Sequence, residues 1–193
     1  MKKPTSQEFF NQPAETASSG FGLVEHERPQ FGLEGHLFAE MRHQDGRIEH
    51  RDLGKNIIVN SASILLARLV KDSSDPAYGA FGLAVGLGGA WDPLNPPPAT
   101  ASQTQLENEL TRKTFQSVNF INAGMVVSYP TNVIDLTTFF NESEAVGALM
   151  EMGLVGGDAT LAPNTGTLIN YRTFAVINKP NTATLTITWR LTF

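Results

Sequence analysis

Apolar and polar residues alternate most cleanly in Thr182–Phe193, TATLTITWRLTF. Ala183, Leu185, Ile187, Trp189, Leu191 and Phe193 fall on one parity, and five threonines and Arg190 make up the other. Side chains alternate between the two faces of a strand, so this period predicts a strand with one buried face. Trp189 and Phe193 are predicted to sit in the core, where burying each contributes about 1.5–3 kcal/mol. Upstream, TLINYRTFAVINK predicts a long strand that is followed by a Lys-Pro-Asn turn. NVIDLTTFFNE and ALMEMGLVG predict further strands, and TFQSVNFINAGMVVSYP predicts one or two. Phe81–Leu87 predicts a buried strand, interrupted by Gly82 and Gly86, where another backbone passes closely. QLENELTRK predicts one polar turn.

HLFAEMRH and RIEHRDLG flank Asp45-Gly46, a pair suited to a two-residue type I′ hairpin turn. That register would set Arg42 opposite Glu49 and Glu40 opposite Arg51, with His43 and His50 on one face. The spacing of Ile64, Leu65, Ala67, Arg68 and Leu69 predicts a short helix near 61–70, capped by Asn60 or Ser61 and able to plug one end of a sandwich. AWDPLNPPPATASQT can join neither a helix nor a central strand, and predicts a long loop.

Short strands separated by turn signals predict a mainly β protein, an antiparallel β-sandwich over residues 33–193 with one short helix. Residues 1–32 lack periodicity yet carry Phe9, Phe10, Phe21 and Phe31. They predict either a plain tail or an extended N-terminal arm that orders its aromatic anchors on a partner.

Composition narrows the chemistry. The net charge of −5 argues against binding driven by nucleic-acid phosphates. There is no cysteine, which removes disulfides, thiolate metal sites and cysteine nucleophiles. No apolar run suits a membrane span, and MKKPTSQEFF lacks the apolar segment of a secretory signal. Gly82, Gly86, Gly88 and Gly89 fit neither phosphate-loop nor dinucleotide spacing. Of the four histidines, at 26, 36, 43 and 50, His43 and His50 would share a face, and two, with Asp52 the nearest carboxylate of matching parity, are too few for a closed zinc site. The expectation is no enzyme, no cofactor and no metal.

Five stretches, in order, resemble small virion proteins of tailed bacteriophages: GRIEHRDLGKNIIVNSASILLARLV, GLAVGLGG, TQLENELTRK, NESEAVGALMEMGLVGG and the closing TLINYRTFAVINKPNTATLTITWRLTF. The resemblance spans residues 46–193 and leaves the arm unmatched. It implies a virion structural protein, assembled in the host cytoplasm at the neck, tail or baseplate as an adaptor, collar or fibre-attachment component. Its partners would be other virion proteins and itself. Alternatives are a capsid decoration protein, or a carbohydrate-binding module at a fibre tip with Trp91, Tyr78 and Tyr129 as stacking groups. The most family-like polar positions are Glu107, Asn108, Glu109 and Arg112, with Glu144 and Glu151. Their favoured role is internal, a carboxylate–Arg112 pair and hydrogen bonds pinning the long loop; the other is a subunit contact.

Overall fold

The computed structural model describes residues 32–71 and 78–193, so Phe9, Phe10, Phe21 and Phe31 lie outside the described residues. The strands are β1 (Glu34–His43), β2 (Ile48–Lys55), β3 (Ile57–Ile58), β4 (Tyr78–Gly86), β5 (Glu109–Thr114), β6 (Ser117–Asn122), β7 (Met125–Val127), β8 (Val133–Phe140), β9 (Gly147–Gly157), β10 (Thr167–Lys179) and β11 (Ala183–Thr192). One helix, α1 (Asn60–Lys71), stands between β3 and β4. The fold is a mainly β sandwich of two antiparallel sheets. One has six strands in the order β2-β1-β11-β8-β6-β7, the other five in the order β3-β10-β9-β4-β5.

The alternation of TATLTITWRLTF becomes β11, the strand between β1 and β8. Leu185, Ile187, Trp189 and Leu191 enter the core beside Leu37, Ala39 and Met41 of β1 and Leu136 and Phe140 of β8. Leu83 and Val85 of β4, Leu149 and Leu154 of β9 and Ile169 and Ile177 of β10 meet them from the five-stranded sheet. Trp189 is fully buried, and its indole Nε1 donates to Asn56 Oδ1 at 3.1 Å. A buried indole N–H without a partner would cost stability, and this bond supplies one.

Phe193 is a correction. Its ring is 50% exposed rather than in the core. The β1–β11 ladder ends at Glu34↔Thr192, so Phe193 stands one residue past the last strand pair. Its backbone is nonetheless held, with Phe193 N donating to Asn132 O and Asn132 Nδ2 donating to Phe193 O.

The first hairpin is shifted by one residue from the sequence expectation. Arg42 faces Ile48, Met41 faces Glu49, Glu40 faces His50 and Ala39 faces Arg51. The loop has three residues, Gln44-Asp45-Gly46, with Gly46 at φ +87° and its N–H on His43 O. That is the turn-plus-αL-glycine connection, not the two-residue type I′ turn. A one-residue slip exchanges the faces of the whole strand. His43 and His50 therefore lie on opposite faces. The charges regroup: Glu40 takes Arg42 and His50, and Glu49 takes Arg47 and His43.

The other departures are of topology. Glu109–Thr114 is the edge strand β5, not a polar turn. β10 and β11 are joined by the short turn at Pro180 yet belong to different sheets, so the chain crosses the sandwich there. α1 closes the end of the sandwich at which β10 begins, through Ala62 and Leu65, and Ser61 Oγ donates to Leu168 O at 2.7 Å.

Candidate functional site

Residues 87–108 connect β4 to β5 and pack on the outer face of the five-stranded sheet. Leu106 and Ala99 cover Val59, Ala84, Val155, Leu168 and Tyr171 there. Proline cannot donate, and this loop uses its carbonyls instead. Pro93 O accepts from Val176 N at 2.8 Å and Pro97 O from Thr173 Oγ1 at 2.7 Å.

Glu151 lies under both ends of this loop. It projects from β9 and is 0% exposed. Its Oε1 accepts from Gly88 N at 3.1 Å and Asn108 N at 2.8 Å; its Oε2 accepts from Glu107 N at 3.0 Å and Tyr171 Oη at 2.6 Å. Four donors thus satisfy one buried carboxylate, the condition under which such a group is tolerated. Burial and the Glu151 carboxylate raise the Tyr171 pKa, keeping the phenol a donor.

A second centre holds the loop before β10. Arg112 on β5 makes a bidentate pair with Glu109, at 2.6 and 2.7 Å, with both side chains buried. The guanidinium also donates to Thr160 O and Thr165 O, and Glu109 Oε2 accepts from Asn164 N. The planar fork of Arg112 fits both the carboxylate and the loop carbonyls. Glu144, in the turn between β8 and β9, accepts from Lys113 Nζ at 2.6 Å and Asn141 N at 2.9 Å. The Lys113 hydrogen bond lowers the Glu144 pKa below its ordinary value, helped by the Asn141 amide.

All six polar positions singled out in the sequence therefore meet internal partners. Glu107 and Asn108 contribute main-chain N–H groups to Glu151, and Glu109, Arg112, Glu144 and Glu151 contribute side chains. The pairing of Glu151 with main-chain amides across more than forty residues of sequence had no signal in spacing. Trp91 lies with its ring over Gly88, where a Cβ would come within 2.4 Å of it.

A different character appears at the β6–β7 hairpin, the edge of the six-stranded sheet. The tip turns at Ala123 and Gly124, both at positive φ. Met125 is 68% exposed and Val126 64%. Adjacent strand residues point to opposite faces, so both faces of the tip are apolar and uncovered. Tyr129, also exposed, accepts from Asn122 Nδ2 at 2.7 Å beside them. Exposed Val118 extends the apolar set along β6. Among the described residues no group of three or more His, Asp or Glu side chains could hold a metal ion. No helix there is long and apolar enough to cross a membrane.

No protein-family model and no curated protein sequence matches this chain.

Proposed function

We propose that this chain is a structural protein of a tailed-bacteriophage virion, working by assembly at the neck, tail or baseplate as an adaptor, collar or fibre-attachment component. The observation that carries the assembly role is the β6–β7 hairpin. It joins a sheet edge that pairs with no further strand among the described residues to exposed Met125, Val126 and Tyr129. Exposed strand edges and clustered apolar surface are the features that protein partners cover. The buried centres at Glu151 and Arg112–Glu109 support the same reading from the other side: their polar groups are spent on holding loops rigid over the sandwich. The virion assignment itself rests on the resemblance, with Phe9, Phe10, Phe21 and Phe31 as anchors of the arm. The fibre-tip alternative draws less support, because Trp91 and Tyr129 belong to segments of different sheets.

The test is the solution mass by light scattering of the full chain, of a chain lacking residues 1–32, and of a Met125→Lys/Val126→Lys double variant, together with incorporation into particles. The expected result is loss of self-association or of incorporation in both altered chains, with the fold intact by circular dichroism. Lysines on an edge strand oppose pairing. Both altered chains entering particles as the wild type does would overturn the proposal. Recovery from purified heads that lack tails would move the station to capsid decoration.

A further inference from the structure

The end of the sandwich opposite α1 is open. A cleft of about 920 Å³ lies there, between the β1–β2 loop, the start of β9 and the turn joining β10 to β11. Gln44 N donates to Thr182 O at 3.0 Å across one side of it. Its charged lining is His43, Asp45, Arg47, Glu49, Arg51 and Lys179. This surplus of cations stands out in a chain of net charge −5.

The two carboxylates of the lining are already engaged. Glu49 accepts from Arg47 and, at 3.0 Å, meets His43 Nε2. Asp45 Oδ1 accepts from Arg47 N at 2.9 Å. The other two cations are held differently. Arg51 donates Nη1 to Val176 O at 2.9 Å, across to the opposite sheet. Lys179 is 2% exposed, and its Nζ donates to the main-chain oxygens of Glu142 at 3.1 Å and Pro180 at 3.5 Å. Both cations thus face carbonyl dipoles, where a full negative charge would bind them more strongly. Burying an ammonium whose hydrogen bonds go only to carbonyls is costly, and the carboxylates of Glu142 and Glu144 offset part of that cost through space. Burial accordingly lowers the Lys179 pKa, against the opposing pull of Glu142 and Glu144 outside the lining.

We propose that this cleft is a carboxylate-binding site, with Arg51 at its side and Lys179 at its floor as the groups that receive the acid. The site rests on the cleft alone and not on the assembly reading above. The carboxylate could come from a small organic acid or from Asp and Glu side chains of a partner segment, and the two are separable.

Isothermal calorimetry on the full chain at low salt, with succinate and with a blocked hexaglutamate peptide as probes, tests the site. Binding of either probe is expected, weakened more than about tenfold in Lys179→Met, because removing one partner of a desolvated charge pair is costly, and about two- to fivefold in Arg51→Gln, whose side chain is exposed. Tighter binding of the peptide than of succinate would assign the site to a partner segment; the reverse would assign it to a small acid. Absence of binding by both probes at millimolar concentration overturns the proposal. So does unchanged affinity in Arg51→Gln, whose exposed side chain can be altered without emptying the core.

Discussion

The two sheets solve the same problem in different ways. The six-stranded sheet buries one face and leaves the other to water: along β11 every second residue from Ala183 to Leu191 is buried and those between are not. The five-stranded sheet is covered on both faces, so β9 is buried without interruption from Leu149 to Gly157. Its second cover is an irregular loop, not a helix or a sheet. Water satisfies exposed backbone amides, but a loop packed on a sheet needs acceptors from within. Glu151 is that acceptor at both stems of the loop, and Glu109 with Arg112 serves the neighbouring loop. A loop used as a structural layer brings buried charge with it, whereas a solvated sheet face needs none.

The largest break in this comparison is predicted for the six-stranded sheet. Removing residues 189–193 takes Trp189 and the last four of the ten residues of a strand that both β1 and β8 pair with. The truncated chain is expected to be unfolded by circular dichroism, and a soluble, cooperatively melting product would contradict the placement of β11. Next in size is Glu151→Ala. It leaves three backbone amides and the Tyr171 hydroxyl without their acceptor, each costing about 1–3 kcal/mol where water cannot reach it. Chemical denaturation should show a loss of several kcal/mol, with protease cleavage in residues 89–106 before global unfolding. A loss below about 1 kcal/mol would mean that the clamp contributes little.

The smallest effect sharpens the contrast by pH. The folded-state pKa of Glu144 lies below its ordinary 4.5. Its contribution is therefore fully present above the unfolded value and is lost as pH falls through the folded one. Glu144→Gln should lower stability at neutral pH by less than about 1 kcal/mol, the Lys113–Glu144 pair being partly exposed, and the difference from the wild type should vanish as pH falls below 4.5 through the folded pKa, so that the acid limb is flatter. An acid limb identical to that of the wild type would remove Glu144 from that role.

How much of this was legible in the sequence depended on whether a signal was periodic. β11, β8 and the helix were readable, because each writes its burial into every second or every third and fourth residue, and β10 was readable as a long strand-forming run before a Lys-Pro-Asn turn. The hairpin register was not, because a loop of two residues and a loop of three share the same Asp-Gly. β5 escaped because its buried face carries Arg112 and Glu109, whose burial depends on partners distant in the chain. Phe193 has the right parity but no opposing strand residue, and parity alone does not show where a ladder stops. Of the site residues, the internal use of Arg112 and of a pinned loop was foreseen in kind; the choice of Glu151 as the pin needed the fold. The open cleft depends on a turn between β10 and β11 that changes sheets, which no local pattern announces.

The position of β11 has a consequence for how the protein is made. Among the described strands it is the last in chain order, yet it is an inner strand of its sheet. Until β11 has emerged from the ribosome, β1 and β8 lack the strand that joins them, so a β1–β2 ribbon and a β8–β6–β7 meander would each have a bare edge where β11 inserts. Synthesis at about 5–20 residues per second leaves those edges open while the intervening chain is made. The nascent chain is thus a strand acceptor until β11 emerges, and its own β11 must arrive before that of a neighbouring nascent chain.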